Sequence, residues 1–172
     1  MRKLVFVIGP PSSGKTSFAQ WLEKNHNFTR FSSDDYRTEE ERIKGNYQPA
    51  FLKIGEAIKS CSTDVVYDAQ NLYYKARSKR LRDWMDNFDM TLAMIMIRHR
   101  DSCVKAEMAR TDRHGEGHKS AVLHMINSAY MGFYPFLSKG WWDFIRQEPW
   151  SEIWEVRWTP EIKSEYHFRR HI

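Results

Sequence analysis

Residues Gly9-Pro10-Pro11-Ser12-Ser13-Gly14-Lys15-Thr16 follow directly on the apolar run Lys3-Leu4-Val5-Phe6-Val7-Ile8. They match G-x-x-x-x-G-K-[ST], and no other stretch of the chain restricts its fold so severely. The match asks for a buried strand, then a turn whose backbone N–H groups wrap phosphate oxygens. Residues 16–25 read as the helix that must follow, with its positive N-terminal end facing the same phosphates. Gly9, Ser12, Ser13, Gly14, Lys15, Thr16 and Ser17 are then the candidate triphosphate ligands. Lys15 is expected to reach the β- and γ-phosphates and the Thr16 hydroxyl to bind Mg²⁺. A glycine turn with an incidental lysine would not need strand, loop and helix in this order.

The remainder alternates strands and helices. Residues 28–33 read as a short strand ending at Asp34-Asp35-Tyr36-Arg37, and the acidic stretch 39–42 with Gly45 and Asn46 as surface. Phe51, Ile54, Ile58 and Cys61 recur at helical spacing. Residues 63–68 form the third strand, and 73–88 an amphipathic helix with Leu81, Trp84, Met85 and Phe88 buried. Residues 91–97 are nearly all apolar, as suits a strand covered on both faces. A helix from Ser102 to about Arg110 leads to a polar Gly/His loop reaching Lys119. Val122, Met125, Ile126, Ala129, Tyr130 and Phe133 mark another helix. Residues 152–158 alternate as a final edge strand. This pattern predicts an α/β fold: a five-stranded parallel sheet with helices on both faces and right-handed crossovers, in one domain spanning 1–172.

Ligands of such sheets bind beyond the carboxyl ends of the strands. The phosphate loop, Asp34, Asp68 and Arg98-His99-Arg100 each follow a strand, so all four are expected along one edge. Asp34 is the candidate general base, because a carboxylate there can accept the proton of an acceptor hydroxyl. It is equally placed to cap a helix or to hold Mg²⁺ through water, and Asp35 competes with it. Arg37, three residues on, suits bidentate capture of an acceptor phosphate or a plain surface pair with Asp34. Asp68 ends the apolar-then-acid pattern of a Walker B strand, which suits Mg²⁺ or the positioning of an arginine. A strand-end turn is the simpler use, and Asn71 fits either. Arg77 falls on the buried stripe of its helix and is expected to point inward at the functional edge. Lys75, Lys79 and Arg82 share the outer face, where they are solvated or meet a nucleic-acid backbone. Arg110 and Arg113 flank the Gly115-Glu116-Gly117 loop as a mobile lid at about 110–120 would require. Basic residues complementing a helix C-terminus give the same pattern. His114 and His118 lack a nearby third metal ligand.

Composition narrows the setting. The 172 residues carry a formal charge of +5, with aromatics at 15%. The isoelectric point near 9.2 favours an anionic partner. No run approaches a membrane span, and the start resembles no export signal, so no membrane partner and a cytoplasmic location are expected. Cys61 and Cys103 read as free thiols, Cys103 as core filler.

Together these residues resemble the P-loop polynucleotide 5′-hydroxyl kinases of bacteriophages, within the broader group of small P-loop metabolite kinases. Gly9 to Thr16 is similar to the family's phosphate loop, and Asp34-Asp35-Tyr36-Arg37 to its D-x-x-R, whose Asp is the base and whose Arg holds the acceptor's phosphate. Asp68-Ala69-Gln70-Asn71-Leu72 resembles its D-x-x-N-L turn, with Arg77 following. The lid pattern R-N-x-x-R appears as Ala106-Glu107-Met108-Ala109-Arg110, so only the second arginine is kept, and Arg113 stands ready to compensate. The D-x-D-x-T motif of the family's phosphatase domain is absent. The resemblance implies an ATP- and Mg²⁺-dependent kinase acting on a DNA or RNA 5′-hydroxyl, in a host cytoplasm if phage-encoded. Lys15 and Arg110 would stabilise the phosphates, Thr16 and Asp68 would hold Mg²⁺, Arg110 and Arg113 would grip ATP, and Arg37, Asp68, Asn71 and Arg77 would face the substrate. A kinase of a hydroxymethylated base in DNA, a nucleoside or small-metabolite kinase, and a non-catalytic nucleotide-dependent module all remain open.

Overall fold

The computed structural model of the chain describes residues 1–38, 40–41, 48–111, 115–132, 135–159 and 165–172, with backbone alone at 115, 116 and 159. Strand β1 (Lys3–Ile8) leads through the phosphate loop into helix α1 (Lys15–His26) and strand β2 (Phe28–Ser32). Then come α2 (Gln48–Ser60), β3 (Asp64–Asp68), α3 (Tyr74–Trp84) and β4 (Met90–Met96). The chain closes with α4 (Arg100–Met108), α5 (Gly115–Met131), α6 (Lys139–Arg146), β5 (Glu152–Thr159) and β6 (Glu165–Arg170).

The sheet order is β2-β3-β1-β4-β5-β6. The first five strands are mutually parallel, and β6 runs antiparallel to β5. This corrects two expectations: the sheet has six strands, and β5 is not its edge. A period-2 signal for β6 was present, because Tyr166 and Phe168 alternate with Glu165, His167 and Arg169. Those two rings pack against Phe18 and Trp21 of α1, so β6 is held by aromatic contacts as well as by its ladder.

The sheet's two faces carry separate cores. On one, Leu4, Phe6, Ile8, Val65 and Tyr67 meet Ile54 and Ile58 of α2, Leu81 and Trp84 of α3, and Trp141 and Ile145 of α6. On the other, Val5, Val7, Val66 and Val156 meet Phe18, Ala19 and Leu22 of α1. Because both sides of β1 are covered, the run Leu4 to Ile8 is buried throughout, as its unbroken hydrophobicity requires. Helices α4 and α5 pack on each other through Cys103, Val122 and Ile126. Among the described residues, no helix is long and apolar enough to cross a membrane.

Two further boundaries differ from the sequence reading. The helix expected over 73–88 ends at Trp84 and continues as a single 3-10 turn, Met85–Asn87. The polar loop expected to reach Lys119 gives way to α5 at Gly115. Glycine weakens a helix interior by about 1 kcal/mol, but Gly115 and Gly117 fall in the first turn, and packing of Val122 and Ile126 on Cys103 carries the helix back to them. Of the expected surface stretch 39–42 with Gly45 and Asn46, residues 39 and 42–46 lie outside the described residues, as does Phe133.

Trp141, Trp142 and Trp150 pack into the first core, whereas Trp158 is exposed. Trp141 is buried against Phe136, and Trp142 stacks on His171 at 4.7 Å. Beneath them lies a buried ion pair. Arg77 Nε donates to Glu148 at 2.8 Å, and its Nη1 donates to the Asn71 and Leu72 carbonyls at 2.7 and 2.9 Å. Trp150 also donates to Glu148. Burial pushes the Glu148 carboxyl above the usual carboxylate range, and Arg77 pulls it back. Arg77→Met strands this carboxylate and is expected to cost about 3–5 kcal/mol in urea unfolding at pH 7. The loss should shrink as the pH falls and Glu148 takes a proton, and Arg77→Met with Glu148→Leu should recover most of it.

Candidate nucleotide and acceptor site

The loop after β1 is built by two local constraints. Gly14 adopts φ 96°, a conformation that side-chain-bearing residues avoid, immediately before α1. A Cβ on Gly9 would stand 2.8 Å from Ser13 Oγ and 3.2 Å from Met96 Cβ, so the backbone there runs too close to β4 for any side chain. Ser12 also has positive φ, and two partners hold it: its hydroxyl donates to Glu107 at 2.6 Å, and its carbonyl accepts from Arg98 at 2.8 Å. Lys15 is buried and folds back onto its own loop, Nζ to the Pro10 carbonyl at 2.6 Å. Ser13 is buried, its hydroxyl without a hydrogen-bond partner among the described residues, whereas Thr16 and Ser17 are exposed in the first turn of α1.

The neighbouring strand ends are laced to this loop. Gly9 N–H donates to the Gln70 carbonyl, Asn71 Nδ2 to the Val7 carbonyl at 3.0 Å, and Ser33 N–H to the Asp68 carbonyl. Asn71, buried at φ 51°, is thus a brace between β1 and the turn after β3. Arg77 supports the same turn from below. Its side chain is 1% exposed and committed to Glu148 and to two carbonyls, so it serves structure in place of the expected substrate contact.

Asp68 sits at the centre. It is 4% exposed, and burial raises its carboxyl above the usual range. The Lys15 ammonium, a hydrogen bond from the Thr16 hydroxyl and the Arg30 guanidinium oppose that shift, while the Asp34 charge adds to it. Lys15, Thr16, Arg30 and Asp34 therefore all act on one carboxylate. Sequence reasoning passed over Arg30, although an arginine inside a half-buried strand needs an acidic partner. It lies 3.9 Å from Asp68 and 2.8 Å from Asp35. Asp35 is thereby paired with Arg30, whereas Asp34 is not.

Asp34 follows β2, and β3 stands between β2 and the phosphate-loop strand. Its carboxylate is largely exposed and pairs with Arg37 at 3.3 Å. Arg37 also reaches the Ser33 hydroxyl at 3.5 Å. The plain Asp34–Arg37 pair considered from the sequence is thus what this structure contains, at the open end of the site.

On the far side, Arg110 stands just beyond α4, half-buried, its N–H donating to the Glu107 carbonyl. Glu107 itself is fully buried against the phosphate loop. It was legible only as a departure from R-N-x-x-R, and the structure gives that departure a use. Arg113 and His114 lie outside the described residues. Helix α5 spans toward the site: Tyr130 donates to the Arg98 carbonyl, and Gln70 contacts Met125.

No protein-family model matches the sequence, and no curated protein does. Solved structures do. A candidate kinase from Chloroflexus aurantiacus aligns with TM-score 0.56 at 14% identity, over 70% of this chain and 74% of its own. A gluconokinase from Sinorhizobium meliloti gives 0.54 at 15%, over 85% and 90%. The Pnkp1/Rnl/Hen1 complex gives 0.54 at 15%, over 67% of this chain and 41% of the matched one. The fold is the P-loop kinase fold.

The donors suit magnesium: a hydroxyl beside a carboxylate, with one Asp68 oxygen buried and lacking a hydrogen-bond partner among the described residues. Because the native Asp68 holds its proton more tightly than the unfolded chain does, its ionisation lowers stability as pH rises through the carboxylate range. Asp68→Asn is therefore expected to leave the melting temperature at pH 7 unchanged or raised. That difference should vanish below about pH 4, where the unfolded Asp is protonated. Calorimetric titration should show that Mg²⁺ no longer strengthens nucleotide binding.

Proposed function

We propose that this protein is an ATP-dependent kinase that transfers the γ-phosphate to a nucleic-acid hydroxyl, most simply the 5′-hydroxyl of a DNA or RNA strand. The observation that carries the reading is Asp34, paired with Arg37 at the open edge, whose charge acts on the same Asp68 that feels Lys15 and Thr16. Phosphoryl transfer needs charge neutralisation and positioning on one side and a base near the acceptor on the other. The site offers both.

In this reading the phosphate loop and Lys15 hold the β- and γ-phosphates, and Arg110, with Arg113 in support, closes over them. Thr16 and Asp68 would hold Mg²⁺, which would supply charge neutralisation on the phosphate oxygens. Arg37 turns from Asp34 to the acceptor's phosphate, which frees the carboxylate beside the hydroxyl. The hydroxyl oxygen bonds to the γ-phosphorus, its proton passes to Asp34, and the bond to the bridging oxygen of the leaving ADP breaks. Likeness to the Pnkp1/Rnl/Hen1 complex and the charge of +5 agree with a polynucleotide acceptor.

A second reading, a kinase of a small hydroxylated metabolite, is favoured by the gluconokinase likeness, which covers more of both chains. Radiolabelled ATP offered with 5′-hydroxyl oligonucleotides, hydroxymethyl-base duplexes, nucleosides and gluconate separates the two by which acceptor is labelled. Asp34→Asn is expected to lower turnover about 10²–10⁴-fold with ATP affinity unchanged. Turnover that survives the substitution would reject Asp34 as the base, and the absence of any labelled acceptor would favour a non-catalytic nucleotide-dependent module.

A further inference from the structure

Helix α3 leaves the functional edge immediately after the turn that carries Asp68 and Asn71. Its inner face is fully occupied: Arg77, Leu81 and Trp84 are buried, and Arg80 stacks over Phe51 at 3.8 Å. Its outer face holds a shallow depression of about 300 Å³, lined by Tyr74, Lys75, Ser78, Lys79, Arg82 and Asp83. Lys75, Lys79 and Arg82 are exposed, and no salt bridge among the described residues engages them. Ser78 is 4% exposed, its hydroxyl lacking a hydrogen-bond partner among the described residues. At 1.5 Å per residue the three cations spread over about 10 Å of helix, starting at the catalytic edge. At that start stands Tyr73, the residue before the helix, with 71% of its surface exposed.

A row of cations directed away from a phosphoryl-transfer site, headed by an open aromatic ring, has the make-up of a single-strand track: charges follow the backbone and the ring stacks on a base. Asp83 sets the far limit, because its carboxylate repels phosphate. We propose that the outer face of α3 binds the acceptor strand downstream of its reacting end, with Tyr73 against a base and Lys75, Lys79 and Arg82 on successive phosphates. The inference rests on the polynucleotide reading above, and it adds that affinity for a strand is separate from recognition of its terminal nucleotide.

The test compares the wild type with Lys75→Ala/Lys79→Ala/Arg82→Ala, all at exposed positions, after melting curves establish equal stability. Binding of a 3′-labelled, 5′-hydroxyl dodecamer, as DNA and as RNA, is followed by fluorescence anisotropy between 50 and 200 mM salt. Phosphorylation of the same dodecamer and of thymidine 3′-phosphate is measured in parallel. The triple variant is expected to bind the dodecamer at least tenfold more weakly. Its log–log salt slope should be flatter by about 2, as loss of three single-strand phosphate contacts requires. Its kcat/KM on thymidine 3′-phosphate should be unchanged. Tyr73→Ala should weaken dodecamer binding roughly five- to hundredfold. Unchanged dodecamer affinity and slope in the triple variant overturn the track, even if the wild type phosphorylates the dodecamer and the kinase reading stands. If the wild type binds the dodecamer with the expected slope loss in the variant yet labels no oligonucleotide, the track stands and the kinase reading falls. A wild type that does not bind the dodecamer at all overturns the track.

Discussion

A carboxylate held where water barely reaches is the constraint on which this molecule's chemistry rests. Asp68 is at the end of a strand flanked on both sides by other strands, so its desolvation cannot be relieved by turning outward. It is tolerated because Lys15, the Thr16 hydroxyl and Arg30 converge on it. Those three arrive from α1 and β2, so one buried charge draws together α1, β2 and β3. A divalent cation and a triphosphate would complete the same electrostatic arrangement, which is why the group is worth its burial.

The backbone around that carboxylate is braced by a chain of side-chain hydrogen bonds. Asn71 bridges two strand ends, Arg77 holds the turn above it, and Glu148 holds Arg77. Glu148 comes from the segment after α6, so the C-terminal third supports the edge that carries Asp68. On the opposite side, Ser12 is gripped by Arg98 and Glu107. The phosphate loop is therefore tied to α4, through Glu107, and to the end of β4, through Arg98.

The sequence reading and the structure part company where local pattern and long-range packing disagree. Two glycines spelled a loop at 115–117, but burial of Val122 and Ile126 against Cys103 extends the helix to them. Arginine at position 77 fell on the buried stripe and was assigned to substrate. Its spacing was read correctly, yet nothing local could reveal Glu148, 71 residues away, as its partner. Arg30 escaped notice for the converse reason: a polar residue in a strand gives no clue to which carboxylate it will meet.

By itself the sequence determined the phosphate loop, the order of the first five strands along the chain, and the sheet edge shared by the phosphate loop, Asp34 and Asp68. These follow from local rules: a glycine needed for φ 96°, a continuous apolar run, and the placing of loops after parallel strands. Only the tertiary structure decided that β3 lies between the strands leading to Asp34 and to Lys15, that β6 closes the sheet, and that Glu107 and Arg98 hold Ser12. Apart from the β5–β6 hairpin, each of those joins residues separated by dozens of positions. Their pairing is set by which faces can be buried together, and hydrophobic burial, being non-directional, leaves no trace of that choice in any short stretch of chain.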